Sequence, residues 1–314
     1  MSIYLLTGAG FSRNWGGWLA NEVFDYLLGC EEVIANPRLR ALLWRHQQAN
    51  GFESALAEVQ RNYTRDVSEA NQNALRQLQR AIEAMFGNMN EHFFSGTWEF
   101  SQQADRSVTS FLARFDAIFT LNQDQLLEHY YWPELYRGAG RPAWLGLQLP
   151  AAIRMNPQVQ DRHGQAGPRV LVHEAQEFRL EQGMQPLFKL HGSSGWRDPR
   201  MGSAMIMGDK KAADVNFYPA LNWYFDRFEA ALAEPGARLM VIGYGFRDPH
   251  INAIVIRSVQ EYGLKLFIID PDGSGIAAKL NPTANAQIKG PATSLEDAFV
   301  AGVIGASRRL LRPS

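Results

Sequence analysis

The chain opens with a short apolar run that stops at a glycine. Residues 3 to 6 are apolar and end at Gly8, and from Leu19 to Leu27 apolar residues recur at helical spacing until Gly29. Glycine is common just past the end of a helix because it adopts left-handed backbone angles without strain. The pattern predicts a strand, a tight turn and a helix.

The next part of the chain, between about residues 38 and 115, is almost wholly helical in its pattern. Apolar side chains recur at spacings of three and four, as in the stripe from Phe52 to Tyr63, and the alternation typical of strands is missing. We therefore expect a helical insertion at residues 32 to 114. It would cover the functional site, provide an assembly surface, or do both.

Strand patterns return later in the chain and alternate with helices. The apolar runs are at residues 116 to 121, 170 to 172, 187 to 190, 239 to 242 and 264 to 269. The clearest helices are at residues 219 to 233 and 250 to 262. Such alternation predicts one α/β, Rossmann-like domain over residues 1 to 314, with a mostly parallel sheet and helices on both of its faces. Residues 137 to 185 are expected to form a loop-rich excursion.

Composition narrows the function classes. A formal net charge of -1 gives no general attraction to nucleic acid or to an anionic membrane, so neither is expected as a partner. No apolar stretch approaches the roughly 20 residues of a membrane span, and the first residues predict a strand and not a targeting peptide. We expect a cytoplasmic protein. Cys30 is the single cysteine, and His129, His163 and His173 are irregularly spaced, so no metal is expected.

The turn after the first strand has the composition of a phosphate-binding turn. Gly8 permits a sharp turn, Gly10 allows backbone amides to approach a pyrophosphate, and Ala9 lies between them. Ser12 could add a hydroxyl donor and Arg13 a cation, although Arg13 occupies the place of the third glycine in the usual G-x-G-x-x-G fingerprint. The other reading is a turn that only joins a strand to a helix.

An acidic residue at the end of a strand often binds the ribose of a dinucleotide. Glu22 and Asp25 fall within a predicted helix, which makes them poor candidates. Asp270 ends the last predicted strand and is the better one, unless it is only a solvated carboxylate beside Pro271.

Two further strands are followed by side chains that can act on a sugar or a water. Asn122 offers both a donor and an acceptor, and a neutral His191 can take up a proton near pH 7. Asp124 follows closely in the same segment as Asn122. Alternatively, Asn122 and Asp124 cap a predicted helix at residues 123 to 131, and His191 is a core or capping residue.

A fourth segment, GYGFRDPHIN, follows another strand and contains Gly243 and Gly245. We assign these two glycines to the same cofactor pocket. For Asp248 we prefer the interpretation that it caps the next helix, because Pro249 suits the first helical position.

Taken together, the segments GAGFS, TLNQD and KLHGS resemble the sirtuins, and GYGFRDPHIN resembles bacterial sirtuin-like proteins that hydrolyse NAD⁺ in antiphage defence. The resemblance spans residues 4 to 270 as spaced motifs. It implies that NAD⁺ is the substrate. It also implies that Asn122 contacts the nicotinamide ribose and the catalytic water, Asp124 the carboxamide, and His191 the ribose hydroxyls.

The chain departs from sirtuin deacylases in two places. Their two zinc-binding cysteine pairs are missing, and their acyl-lysine loop is not recognisable in residues 196 to 208. Water is therefore the favoured acceptor, which predicts an NAD⁺ glycohydrolase that yields nicotinamide and ADP-ribose. A lysine deacylase or ADP-ribosyltransferase is one alternative, and a non-catalytic NAD or ADP-ribose sensor is another. The resemblance further implies homo-oligomers and a separately encoded partner, such as a HerA-like hexameric ATPase or a short Argonaute.

Overall fold

The computed structural model describes residues 1–47, 51–95, 108–131, 144–154, 169–200, 202–208 and 211–271. The strands are β1 (Ile3–Thr7), β2 (Ala117–Thr120), β3 (Gly146–Gln148), β4 (Ala152–Arg154), β5 (Arg169–Leu171), β6 (Met184–Lys189), β7 (Gly192–Asp198), β8 (Gly202–Met205), β9 (Arg238–Ile242) and β10 (Lys265–Ile269). The α-helices are α1 (Ala9–Ser12), α2 (Ala20–Gly29), α3 (Glu31–Ile34), α4 (Pro37–Arg45), α5 (Phe52–Arg65), α6 (Glu69–Ser95), α7 (Val108–Leu112), α8 (Lys211–Asp214), α9 (Pro219–Leu232) and α10 (Pro249–Glu261).

The main sheet has six parallel strands in the order β10-β9-β1-β2-β6-β3. Its central strands are almost entirely buried, as expected for a parallel sheet that is covered on both faces. After β1 the chain passes to β2 and β6 on one side, and later to β9 and β10 on the other. The prediction of an α/β, Rossmann-like fold is confirmed, and the strand order reverses between β1 and β9.

The helix α9 covers part of this sheet with aromatic side chains. Phe119 of β2 stacks on Phe188 of β6 with ring centroids 5.0 Å apart, and Phe228 of α9 lies 4.8 Å from Phe119. Tyr224 of α9 packs edge-on against Phe188 at 5.1 Å. The predicted helices at 219 to 233 and 250 to 262 are confirmed as α9 and α10, and each has proline at its first position, where a backbone N–H is not needed.

A second sheet contains β4, β5, β7 and β8 in that order. The strands β3, β4 and β5 lie within the segment for which a loop-rich excursion was expected, and β7 with β8 forms a hairpin that the sequence pattern did not predict. The helix expected at residues 123 to 131 starts later than predicted. The structure has a short π-helix at Leu127–Tyr131, and the amides of Gln125 and Leu126 bind the side chains of Asn90 and Asp124 at 3.0 Å.

The described residues between α2 and β2 form helices α3 to α7. The long helix α6 buries Leu78, Ile82 and Met85, and its Asn90 also donates to the Ser194 hydroxyl of β7 at 2.9 Å. The helical segment therefore contacts both the loop after β2 and the second sheet. Among the described helices, none combines the length and the apolar composition that crossing a membrane requires.

Candidate active site

The ends of four parallel strands bring the predicted segments to one edge of the main sheet. Thr7 of β1 lies opposite Thr120 of β2 and Ile242 of β9, and Thr120 lies opposite Lys189 of β6. The residues that follow these strands therefore leave the sheet in one row. Ligands of open parallel sheets bind at the carboxyl ends of strands where the strand order reverses, which is the edge formed here by β9, β1 and β2.

The glycine turn after β1 packs backbone to backbone against the loop after β9. The Gly8 amide donates to the Ile242 carbonyl at 3.0 Å, and the Gly10 amide donates to the Gly243 carbonyl at 2.9 Å. A Cβ on Gly8 would lie 2.6 Å from the Gly243 oxygen, so this contact requires glycine. The sequence predicted that backbone amides of this turn approach a pyrophosphate, and the amides of Gly8 and Gly10 are bonded within the protein. Contact of the turn with NAD⁺ stays a prediction.

Asn122 connects the loop after β2 to the glycine turn. Its Nδ2 donates to the Gly8 carbonyl at 3.0 Å and to the Ser12 hydroxyl at 2.9 Å, while its backbone amide donates to the Thr120 hydroxyl at 3.1 Å. The Thr120 hydroxyl also accepts from Thr7 at 2.7 Å. These bonds fix the orientation of the Asn122 amide at the edge of the sheet.

Asp124 belongs to the same group of side chains. It is buried, its Oδ1 accepts from the Leu126 amide at 3.0 Å, and Ser12 also hydrogen-bonds it. Burial raises the pKa of Asp124, although the nearby Lys189 ammonium opposes this. The alternative that Asp124 caps local backbone is right in part, because the carboxylate binds an amide two residues on. Through Ser12, Asp124 is also joined to Asn122.

Next to Asp124, Lys189 and Glu128 form a buried ion pair that the sequence did not predict. Lys189 is 1% exposed, and its Nζ binds the two Glu128 carboxylate oxygens at 2.8 and 3.0 Å and also donates to the Asp124 carbonyl. The Ser193 hydroxyl donates to the same Glu128 carboxylate at 3.0 Å. These contacts tie the loop after β2 to β6 and to the start of β7.

His191 follows β6 and is 2% exposed. Its Nε2 lies 3.2 Å from Nε2 of His250, and its carbonyl accepts from the Ile206 amide at 2.9 Å. Burial lowers the pKa of His191 to about 3, and the nearby Lys211 ammonium adds to this effect. The ring is therefore neutral at pH 7, as the sequence suggested, but it is a weak base.

Asp248 occupies the N-cap position of α10, but its side chain makes no capping hydrogen bond. The preferred interpretation of Asp248 as a helix cap is therefore right for its position, with Pro249 next, and wrong for its side chain. Its carboxylate binds the Lys211 ammonium at 2.8 Å, and Lys211 also binds Glu53 of α5 at 2.9 Å. Burial alone would lower the pKa of Lys211, but the two carboxylates outweigh it and raise that pKa. The lysine therefore remains charged and links the helical segment to the loop before α10.

The other predicted site residues lie around this centre. Ala9 lies in α1, and Arg13 forms an ion pair with Glu22 of α2 at 2.8 Å with its side chain 48% exposed. Gly245 follows Gly243 in the loop after β9. Asp270 directly follows β10, beside the end of β9, so it lies at the same edge of the sheet as the glycine turn.

Metal ligands do not cluster in the described part of the chain, where no group of three His, Cys, Asp or Glu side chains could hold an ion. His129 packs its ring against Phe94 at 4.4 Å, and His173 lies 2.8 Å from Asp198. His163 falls outside the described residues.

Comparison with known proteins gives one family. A family model described as a SIR2-like domain matches residues 116–289, which is more than half of the chain. The matched range starts at β2 and contains Asn122, His191 and His250, while the glycine turn lies before it. No curated protein matches the chain.

Proposed function

The chain belongs to the SIR2-like domain family, which indicates an enzyme that uses NAD⁺, and from this premise we propose that it is an NAD⁺ glycohydrolase. It would cleave NAD⁺ to nicotinamide and ADP-ribose with water as the acceptor. One observation carries the proposal. Asn122 donates both Nδ2 hydrogens to the glycine turn, at Gly8 and Ser12, so its side-chain amide is held where the strand order reverses.

The proposed reaction asks for orientation and charge stabilisation. When the bond between the ribose C1′ and the nicotinamide nitrogen breaks, its electron pair leaves with nicotinamide, which departs as a neutral molecule. Positive charge develops on the ribose, a water oxygen forms the new bond to C1′, and the water proton passes to a base. Preorganised dipoles and a fixed water position lower the barrier of such a step.

The site residues suit this chemistry without a covalent nucleophile. Asn122 would orient the ribose or the water through its Oδ1, which accepts a hydrogen bond, because both of its Nδ2 hydrogens are donated to Gly8 and Ser12. Burial raises the pKa of Asp124, and its carboxyl group would contact the nicotinamide carboxamide. A neutral imidazole with an unshared lone pair can accept the water proton.

Two alternatives share the cofactor. A lysine deacylase or an ADP-ribosyltransferase would pass the ribose to another acceptor, and a sensor would bind NAD⁺ or ADP-ribose without turnover. The single cysteine of the chain cannot supply the two cysteine pairs of the sirtuin zinc module, which supports hydrolysis over deacylation. In the region of the acyl-lysine loop, the described residues form the β7–β8 hairpin.

Product analysis tests the proposal. Purified protein, alone and with the product of the neighbouring gene, is incubated with NAD⁺, and nicotinamide and ADP-ribose are separated by chromatography. Asn122→Ala and His191→Ala should each abolish turnover while remaining folded. Asn88→Ala, an exposed asparagine on α6, is the matched control and should keep wild-type activity. Turnover at the wild-type rate in Asn122→Ala would refute the site assignment.

We further propose that the enzyme depletes NAD⁺ in an antiphage system, as a homo-oligomer with a separately encoded partner such as a HerA-like hexameric ATPase or a short Argonaute. The resemblance of the segment GYGFRDPHIN to bacterial defence proteins supports this. Oligomers commonly hold such modules in place, and a partner that binds only the competent arrangement raises its population. NAD⁺ turnover against protein concentration, with mass by light scattering, tests it. Full specific activity in a dilute monomer, unchanged by the partner, would contradict it.

A further inference from the structure

A second histidine, His250, lies against the predicted site histidine. The Nε2 atoms of His191 and His250 are 3.2 Å apart, and their ring centroids are separated by 5.4 Å at an interplanar angle of 42°. At this distance one nitrogen donates a hydrogen and the other accepts it. The two rings therefore form one hydrogen-bonded unit at the carboxyl edge of the sheet.

The number of N–H hydrogens on the two rings restricts the tautomers of His191 and His250. Two neutral rings carry two N–H hydrogens on four nitrogens, and one of these hydrogens lies between the Nε2 atoms. The Leu121 backbone favours the protonated form of His191, as a nearby carbonyl that accepts an N–H does, so we assign the second N–H hydrogen to His191, on the side of Leu121. With Nε2 facing His250, this donor is Nδ1 of His191. The remaining lone pair is then on Nδ1 of His250, whose Nε2–H donates to His191.

The surroundings of the two rings also differ. His191 is almost completely buried, whereas His250 is partly exposed and packs against the Phe225 ring at 5.5 Å. The charged groups that face His250 are Asp248, which favours its protonation, and Lys211, which opposes it. A cation on His250 can reach water and has Asp248 beside it, while a cation on His191 would be enclosed.

We propose that His250 is a further catalytic residue, which accepts the proton of the attacking water at Nδ1 while His191 holds its ring through the Nε2–Nε2 hydrogen bond. The inference rests on the proposed NAD⁺ cleavage. In this step the water oxygen bonds to C1′, the nicotinamide leaves with the electron pair of the broken bond, and the water proton adds to the His250 lone pair. His191 remains neutral throughout.

The charges around His250 set the pH at which it can act. Burial lowers the pKa of His250 below its ordinary value, Lys211 lowers it further, and Asp248 raises it. Activity should therefore fall on the acid side when His250 is protonated, at a pH below that of an ordinary histidine. Lys211→Met should move this acid limb to higher pH, and Asp248→Asn should move it to lower pH.

The decisive variant is His250→Gln, whose amide N–H₂ can still donate to His191 but cannot take up a proton. We expect kcat to fall by roughly 10²-fold or more, the usual contribution of a general base, with KM near the wild-type value. The acid limb should disappear from the residual activity. His46→Gln, which removes a histidine bonded to Glu58 in the helical segment, is the matched control and should not change the profile.

Wild-type kcat and an unchanged acid limb in His250→Gln would overturn the inference. A readout that needs no activity is the ¹H–¹⁵N spectrum of the histidine rings in the resting protein. It should show His250 protonated at Nε2 and His191 at Nδ1, and the reverse tautomers would also overturn the inference. If the wild-type protein does not cleave NAD⁺, the proposed function and the catalytic role of His250 both fail, while the spectrum still decides the pairing.

Discussion

Replacement of Lys189 by methionine should destabilise the protein far more than a lysine substitution usually does. The Lys189 ammonium is almost fully buried between the Glu128 carboxylate and the Asp124 carbonyl. Methionine keeps most of the length of the side chain, so the change removes charge and hydrogen bonds and leaves only a small void. Among the described residues, it leaves the Glu128 carboxylate with Ser193 as its hydrogen-bond donor.

The expected loss follows from the charge that is left behind. Removing one partner of a buried ion pair costs about 3–5 kcal/mol of unfolding free energy, because the other charge stays in a poorly solvated place. The double variant Lys189→Met/Glu128→Gln carries no such charge and should recover most of the loss, ending roughly 1–2 kcal/mol below wild type. At about 2 °C per kcal/mol for a large domain, the single variant should melt roughly 6–10 °C lower.

Urea unfolding followed by circular dichroism measures these differences, and calorimetry gives the melting temperatures. Lys265→Met, at an exposed position of β10, is the matched control and should stay within about 0.5 kcal/mol of wild type. A loss below about 1 kcal/mol in Lys189→Met would refute the reasoning. So would a double variant that is as unstable as the single one, because the penalty would then not come from the unpaired Glu128.

Further predictions concern the backbone, a buried acid and metal. Gly192→Ala should lower the free energy of unfolding by roughly 4 kcal/mol or more, because its Cβ would lie 1.9 Å from the Ala204 oxygen. Gly202→Ala in the same hairpin has open space around the new Cβ and should lower it by about 1–2 kcal/mol. Urea unfolding measures both. Asp124→Asn should melt higher than wild type at pH 7 but not at pH 3. The raised pKa of Asp124 means that the wild type loses stability as pH rises above the ordinary carboxyl pKa, and equal melting curves at every pH would contradict this. Chelation should not move the melting temperature, and elemental analysis should find no stoichiometric zinc.

The sequence pattern predicts the strands and helices whose position depends on residues that are close together in the chain. The strands β1, β2, β9 and β10 are short apolar runs, and burial on both faces of a parallel sheet produces that pattern directly. The helices α9 and α10 combine an apolar stripe with a proline at the first position. Because parallel strands end at one edge, the convergence of Asn122, His191 and the glycine turn could also be predicted.

Other features could not be predicted from the pattern, because they depend on contacts between residues that are far apart in the chain. The hairpin of β7 and β8 is rich in glycine and serine, and Gly192 is required there because it has a positive φ and meets the Ala204 carbonyl. The pairing of Lys189 with Glu128 has no periodicity that would reveal it. The loop after β2 resembles a helix start in sequence, but Asn90 of α6 takes one of its amides, which is a tertiary contact.

The Lys211 ammonium gives the helical segment a direct physical connection to the candidate base. Glu53 on α5 and Asp248 before α10 both bind this one ammonium, and Asp248 lies two residues from His250. A shift of α5 away from the sheet would remove one carboxylate from Lys211 and strengthen its bond with the other. The charge that His250 experiences would then change without any movement of the sheet. Packing of the helical segment, whether within one chain or in an assembly, can thereby alter how readily the site accepts a proton.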